Sequence, residues 1–192
     1  MTCPQTFVFI LVSICVFSRN TDGCSEIKKR NSWGAVNANE QTKLVQNPPP
    51  LVIVHHSATR SCNSQDDCKK LVSSIQHYHI FTNGWSDIGY NFLIGSEGTI
   101  YEGRGWGLIG AHAVGFNNNS IGICLIGNLQ DNSPSEVQLS SLKSLIACGV
   151  STGKIHRNYT LIGHRQVSST LCPGDKLYNI LKNMPRFEPQ PL

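Results

Sequence analysis

Short apolar runs alternate with stretches of helical spacing along this chain. Residues 51–54 (LVIV) are continuously apolar, the pattern of a strand covered on both faces, and residues 121–126 (IGICLI) repeat it. Residues 90–94, a turn at Gly95-Ser96-Glu97-Gly98, and residues 99–102 read as a hairpin, and residues 159–162 as a further strand. Leu71, Val72, Ile75 and Tyr78 fall three to four apart, predicting a helix over 66–78. A longer helix follows Ser133-Pro134-Ser135, carries Val137, Leu139, Leu142, Leu145 and Ile146 on one side, and closes near Gly149 or Gly153. A last one covers about 174–182, and Asn83-Gly84 marks a turn. Strands alternating with helices predict an α/β domain: a central mixed β-sheet flanked by about three helices.

The ends depart from this pattern. Residues 7–17 (FVFILVSICVF) form an apolar run too short to span a bilayer and right for the core of a secretory signal, although no basic side chain precedes it. Residues 1–23 are therefore expected to be removed, with cleavage after Ser18 or Gly23. Residues 24–50 are polar and end in Asn47-Pro48-Pro49-Pro50, an extended lead-in. Residues 51–185 form the domain proper, and the proline-containing tail, 186–192, is expected to be loose.

A chain of 192 residues suits one well-buried domain. A net charge of +4 is too small for a nucleic-acid footprint, and no segment beyond the leader is long and apolar enough for a membrane span. Export gives the cysteines meaning. Six remain after the leader is removed: Cys24, Cys62, Cys68, Cys124, Cys148 and Cys172. Disulfides are expected among them, and Cys62 with Cys68, closing a short polar loop, is the easiest local pair. Asn118-Asn119-Ser120 and Asn158-Tyr159-Thr160 are glycosylation sequons.

Two predicted strands end in histidine, at Val54-His55-His56 and Gly163-His164, and Cys172 follows eight residues later. Two histidines and a cysteine make an open zinc site with a fourth position for water. There is no HExxH or CxxC to force that reading. By spacing alone the plainer alternative, a surface histidine pair and a bridged Cys172, is preferred.

Longer stretches change the balance. They are Val52-Ile53-Val54-His55-His56-Ser57-Ala58-Thr59, Gly84-Trp85-Ser86-Asp87-Ile88-Gly89-Tyr90-Asn91-Phe92, Ile100-Tyr101-Glu102-Gly103-Arg104-Gly105-Trp106, Gly110-Ala111-His112, and Gly163-His164-Arg165-Gln166-Val167 through Leu171-Cys172-Pro173-Gly174. In this order they resemble the peptidoglycan recognition proteins, a family similar to the zinc amidases of bacteriophage. The resemblance covers roughly residues 30 to 185. It implies the zinc amidase fold of type 2 with an N-terminal family-specific segment, and one zinc ion per chain held by His55, His164 and Cys172. It also implies a catalytic role for Tyr90 and for Thr170, the latter standing where the phage enzymes use lysine.

The activity so implied is hydrolysis of the amide between muramic acid and L-alanine in bacterial peptidoglycan, in innate immunity. Peptidoglycan and muropeptides are the expected partners, and the protein is expected to act as a monomer. His56, Ser57, His79 and His112 map to groove-lining positions. Gly84, Trp85 and Arg104 match the pattern that reads diaminopimelate in the stem peptide, where a guanidinium suits the extra carboxylate. The same resemblance pairs Cys62 with Cys68 and Cys24 with Cys148, leaving Cys124 as a buried thiol. Two alternatives stand beside the enzyme: a peptidoglycan-binding sensor that does not cut, and a metal-free disulfide-rich module in which Cys172 is bridged. Glu102 and Asp87 are read as structural.

Overall fold

The structure is a computed structural model that describes residues 24–190. The expected leader, 1–23, lies outside the described residues. Six strands form one sheet: β1 (Ile27–Lys28), β2 (Leu51–His56), β3 (Phe92–Ile94), β4 (Ile100–Glu102), β5 (Ser120–Leu125) and β6 (Thr160–Gly163), in the order β1-β4-β3-β5-β2-β6. Only β3 and β4 run antiparallel, because only they are joined by a tight turn, closed by Gly98 N–H donating to Gly95 O at 2.9 Å. The remaining pairings are parallel and need crossovers. Helices α1 (Gln65–His77), α2 (Glu136–Ser151) and α3 (Asp175–Leu181) cover the sheet.

Both faces are packed, which is why β2 and β5 read as unbroken apolar runs. Val52, Val54, Ile121, Ile123 and Leu125 face Leu142, Leu145 and Ile146 of α2 and Leu177 and Leu181 of α3. Leu93, Tyr101 and Cys124 face Val72 and Ile75 of α1, with Trp33 alongside. The alternation along β2 sends His55 to the α1 side and His56 to the α3 side.

Helix starts follow their caps. Ser64 Oγ accepts from Asp67 N ahead of α1, and Ser135 Oγ accepts from Gln138 N ahead of α2. Gly153, just past α2, takes φ +68°, the left-handed stop that glycine supplies. Beyond α1 the chain widens into a π-turn, Tyr78–Thr82, closed by Asn83 N–H donating to Tyr78 O, which sequence spacing does not announce.

Both ends of the described residues are held by pairing. The N-terminal segment is tied into the fold: β1 pairs with β4, and Trp33 is buried and donates through Nε1 to Glu102 O. Leu44 N donates to Gly107 O and Ile109 N to Thr42 O, so residues 42–44 lie along the loop after β4. The tail is likewise tied as far as Glu188, instead of loose. Strand β6 is an edge, and its free groups recruit the chain: Leu161 N donates to Arg186 O at 2.8 Å and accepts, through its carbonyl, from Glu188 N.

The disulfides join Cys24 to Cys148 and Cys62 to Cys68. Among the described residues Cys124 and Cys172 are free thiols.

Candidate metal centre and cleft

Parallel pairing builds the centre. Val54 stands opposite Gly163 in the β2–β6 register, so the next residues, His55 and His164, emerge side by side at the C-terminal ends of their strands, with ring centroids 4.4 Å apart. The turn before α3 then delivers Cys172. His56 N donates to Cys172 Sγ at 3.4 Å, and Arg165 N donates to Cys172 O at 2.8 Å. Arg165 continues the brace: its guanidinium donates to Leu171 O and to Asp175 Oδ1. In the sequence Arg165 is marked only by its place next to His164.

One ligand atom each from His55, His164 and Cys172 lies within 4.8 Å of the others. Cys172 Sγ is 3.7 Å from His55 Nδ1. Tetrahedral zinc with ordinary Zn–S and Zn–N lengths separates sulfur from nitrogen by about 3.6 Å, so this donor set fits zinc as it stands. Burial holds the two histidines below their ordinary pKa, His55 most strongly, with His112 and His164 adding to it. Both are therefore neutral imidazoles, the form that ligates metal. Burial also pushes the Cys172 thiol up to about 12, against the opposing pull of the His56 N–H and Arg165.

The centre opens into a cleft of about 260 Å³ lined by His55, His56, Trp85, Tyr90, His112, His164, Thr170 and Cys172, among others. A larger hollow of about 550 Å³ lies by Pro50, Phe116 and Glu188, at the N-terminal ends of β2 and β6, and gathers no comparable donors. The Tyr90 ring sits 5.3 Å from that of His55. Its hydroxyl is held well above the usual tyrosine pKa by burial, then by Cys124 and Cys172, so it stays protonated. Thr170 Oγ1 accepts from Cys172 N at 3.2 Å while lining the cleft. His56 Nδ1 accepts from Leu129 N, which turns the ring's other edge to the cleft.

The wall toward α1 is aromatic. Trp85 lines the cleft, and His79, outside the lining, stacks behind it with centroids 4.6 Å apart while its Nδ1 accepts from Gly89 N at 3.0 Å. Gly84, at φ +70°, makes the turn that aims Trp85. Arg104 lies outside the lining of the cleft, its Nε donating to Ile88 O and its Nη1 to Ile109 O. Ser57 is also outside it; its hydroxyl meets Thr59 Oγ1 and accepts from Gly127 N, bracing the loop after β2. His112 is 7% exposed, with Nδ1 3.1 Å from His55 Nε2. Asn91, buried, joins the loops beneath the cleft by donating to Gly105 O and Leu108 O and accepting from Gly122 N.

A mixed sheet with two histidines at the ends of adjacent parallel strands, and a cysteine brought to them by the turn before α3, defines an α/β domain of the amidase type, with a candidate metal centre in an open cleft. Comparison with known proteins carries this further. The family described as N-acetylmuramoyl-L-alanine amidase matches residues 45–175, and the chain belongs to that family, among its peptidoglycan recognition proteins. It is 41% identical over 165 residues to peptidoglycan recognition protein 1 of Bos indicus, covering 85% of this chain and 86% of that one. It is 40% identical over 168 residues to an N-acetylmuramoyl-L-alanine amidase of Homo sapiens, covering 86% of this chain and 29% of that longer protein. Among solved structures it is similar to peptidoglycan recognition protein-LE in complex with tracheal cytotoxin, a monomeric diaminopimelic acid-type peptidoglycan. The TM-score is 0.83 and the identity 40%, over 84% of this chain and 95% of that one.

Proposed function

We propose that the protein is a secreted zinc-dependent N-acetylmuramoyl-L-alanine amidase that hydrolyses the bond between muramic acid and L-alanine, acts in innate immunity, and prefers diaminopimelate-type stems. The observation that carries this reading is the convergence of His55, His164 and Cys172 within 4.8 Å at the floor of the cleft. Zinc bound there supplies a Lewis acid for the amide carbonyl and acidity for an attacking water.

The chain's own groups do the rest. His55 and His164 present neutral nitrogens from adjacent strand ends, rigid supports for a ligand set. Tyr90, protonated, is placed to donate to the oxygen on which negative charge develops. Thr170 holds the Cys172 turn and offers its hydroxyl at the rim. Trp85, backed by His79, forms the wall along which a stem peptide would lie. Two of the Arg104 nitrogens are tied to carbonyls, which fixes the guanidinium plane; Nη2 has no partner among the described residues and suits a carboxylate.

The test is incubation of the zinc-loaded mature protein with diaminopimelate-type and lysine-type fragments, beside Cys172→Ala, with mass spectrometry for free stem peptide. Release that chelation and Cys172→Ala both abolish supports the enzyme. Fragment binding with zinc bound and no release replaces it with the non-hydrolytic sensor.

A further inference from the structure

His112 is more deeply engaged than a groove-lining residue needs to be. Ser120 Oγ donates to Phe116 O at 2.7 Å, which commits the only proton of that hydroxyl. The same oxygen lies 3.4 Å from His112 Nε2 and has only lone pairs left to offer it, so Nε2 carries the hydrogen. The ring is 7% exposed and meets only His55 and Ser120 through its nitrogens, with no carboxylate to offset a second proton, so it has a single N–H. Its Nδ1 is then bare, and that atom faces His55 Nε2 at 3.1 Å. His55 Nε2 must therefore be the donor, and neutral His55 keeps a bare Nδ1, the atom 3.7 Å from Cys172 Sγ.

The fold is shaped around this ring. A Cβ on Gly122 would come within 2.4 Å of His112 Cγ and Cδ2, and one on Gly110 within 2.3 Å of Cδ2. Asn117 Oδ1 accepts from both His112 N and Ala113 N at 2.9 Å, fixing the backbone that carries the ring.

We infer that His112, oriented through Ser120 by the Phe116 carbonyl, is a positioning residue that holds His55 in the tautomer whose bare Nδ1 points to Cys172. The consequence for metal rests on the zinc reading above; the tautomer does not. Metal-ligating histidines that lose such a partner typically lose about 10–100-fold in metal affinity.

The experiment uses the mature protein, ¹⁵N-labelled at histidine. Long-range ¹H–¹⁵N spectra of the metal-free form are expected to show Nε2–H on both His55 and His112. His112→Leu should mix the His55 tautomers and weaken zinc about 10–100-fold in competition with a chromophoric chelator. His112→Asn, whose amide oxygen can occupy the place of Nδ1, should recover most of that loss. Ser120→Ala, which leaves both rings in place, should mix the tautomers of both and keeps the test open if leucine in the slot prevents folding. Nδ1–H on His55 in the native protein, unchanged zinc affinity in a folded His112→Leu variant, or unchanged tautomers in Ser120→Ala would each overturn the inference. A native protein that takes up no zinc, yet keeps Nε2–H on His55, supports the positioning role and sinks the zinc reading instead.

Discussion

His55 and Cys172 lie 117 residues apart in sequence and 3.7 Å apart in space, nitrogen to sulfur. Both are anchored to the sheet. His55 is 1% exposed within β2, and the backbone N–H of the next residue in that strand, His56, donates to the Cys172 sulfur. The candidate metal centre is thus an extension of strand β2, and its properties follow from that burial.

Zinc uptake should release a proton. The free Cys172 thiol is pushed up to about 12 and is protonated at neutral pH, whereas zinc takes the thiolate. His55 and His164 are already neutral, their pKa values having been lowered by burial, and contribute no proton. Apparent zinc affinity should therefore tighten about tenfold per pH unit between neutrality and mildly alkaline pH. Chelator competition across that range checks the slope, and a flat profile would remove Cys172 from the ligand set.

Tyr90 can be separated from the metal. Its hydroxyl has its ring beside His55, and burial keeps it protonated through the ordinary tyrosine range. Tyr90→Phe should bind zinc as the native protein does while kcat falls roughly 10²–10³-fold, the usual loss for one oxyanion donor, with KM little changed. A parallel loss of zinc would assign Tyr90 to assembly of the site.

The wall of the cleft depends on a buried ion pair formed with the N-terminal segment. Arg30 meets Asp87 through two bonds, of 2.9 and 3.1 Å, with Asp87 1% exposed. Gln76 Nε2 and Ile88 N also donate to Asp87 Oδ1, both at 2.7 Å. Removing Arg30 leaves the Asp87 carboxylate, 1% exposed, without its cation, which costs about 3–5 kcal/mol, whereas Arg30 is 21% exposed and keeps Gly103 O and Val36 O when Asp87 is removed. Urea unfolding should show a loss of that size for Arg30→Ala and a less than additive loss when Asp87→Ala is combined with it. Additive losses would mean that the two residues act separately.

What the sequence made readable followed from local physics. Apolar runs betrayed β2 and β5 because both faces of the sheet are covered, and Ser64 and Ser135 cap the helices in the ordinary way. Strand β1 escaped because two residues in a polar stretch carry no period, and its place depends on Trp33 and Arg30 finding partners about 60 to 70 residues away. The candidate metal ligands can be preferred over a surface histidine pair only through resemblance, since no spacing encodes the β2–β6 register that brings His55 beside His164. The pairing of His55 with His112 is more remote still: it needs the empty space above Gly110 and Gly122, which a sequence reports only as two glycines.

Stem preference gives the last test. Arg104 has Nε and Nη1 committed to Ile88 O and Ile109 O, so the guanidinium is held in one plane with Nη2 left to meet a ligand. A lysine in its place offers a point charge without the fork and cannot both hold the two carbonyls and face a carboxylate with the same geometry. Arg104→Lys should therefore lower kcat/KM on diaminopimelate-type fragments about tenfold or more, the worth of one charge-assisted hydrogen bond, and leave lysine-type fragments nearly unaffected. The ratio of the two rates is the readout, because a general loosening of the cleft would slow both substrates alike. Equal losses would make Arg104 a brace for the loops at Ile88 and Ile109 and would remove it from the proposed reading of the stem peptide.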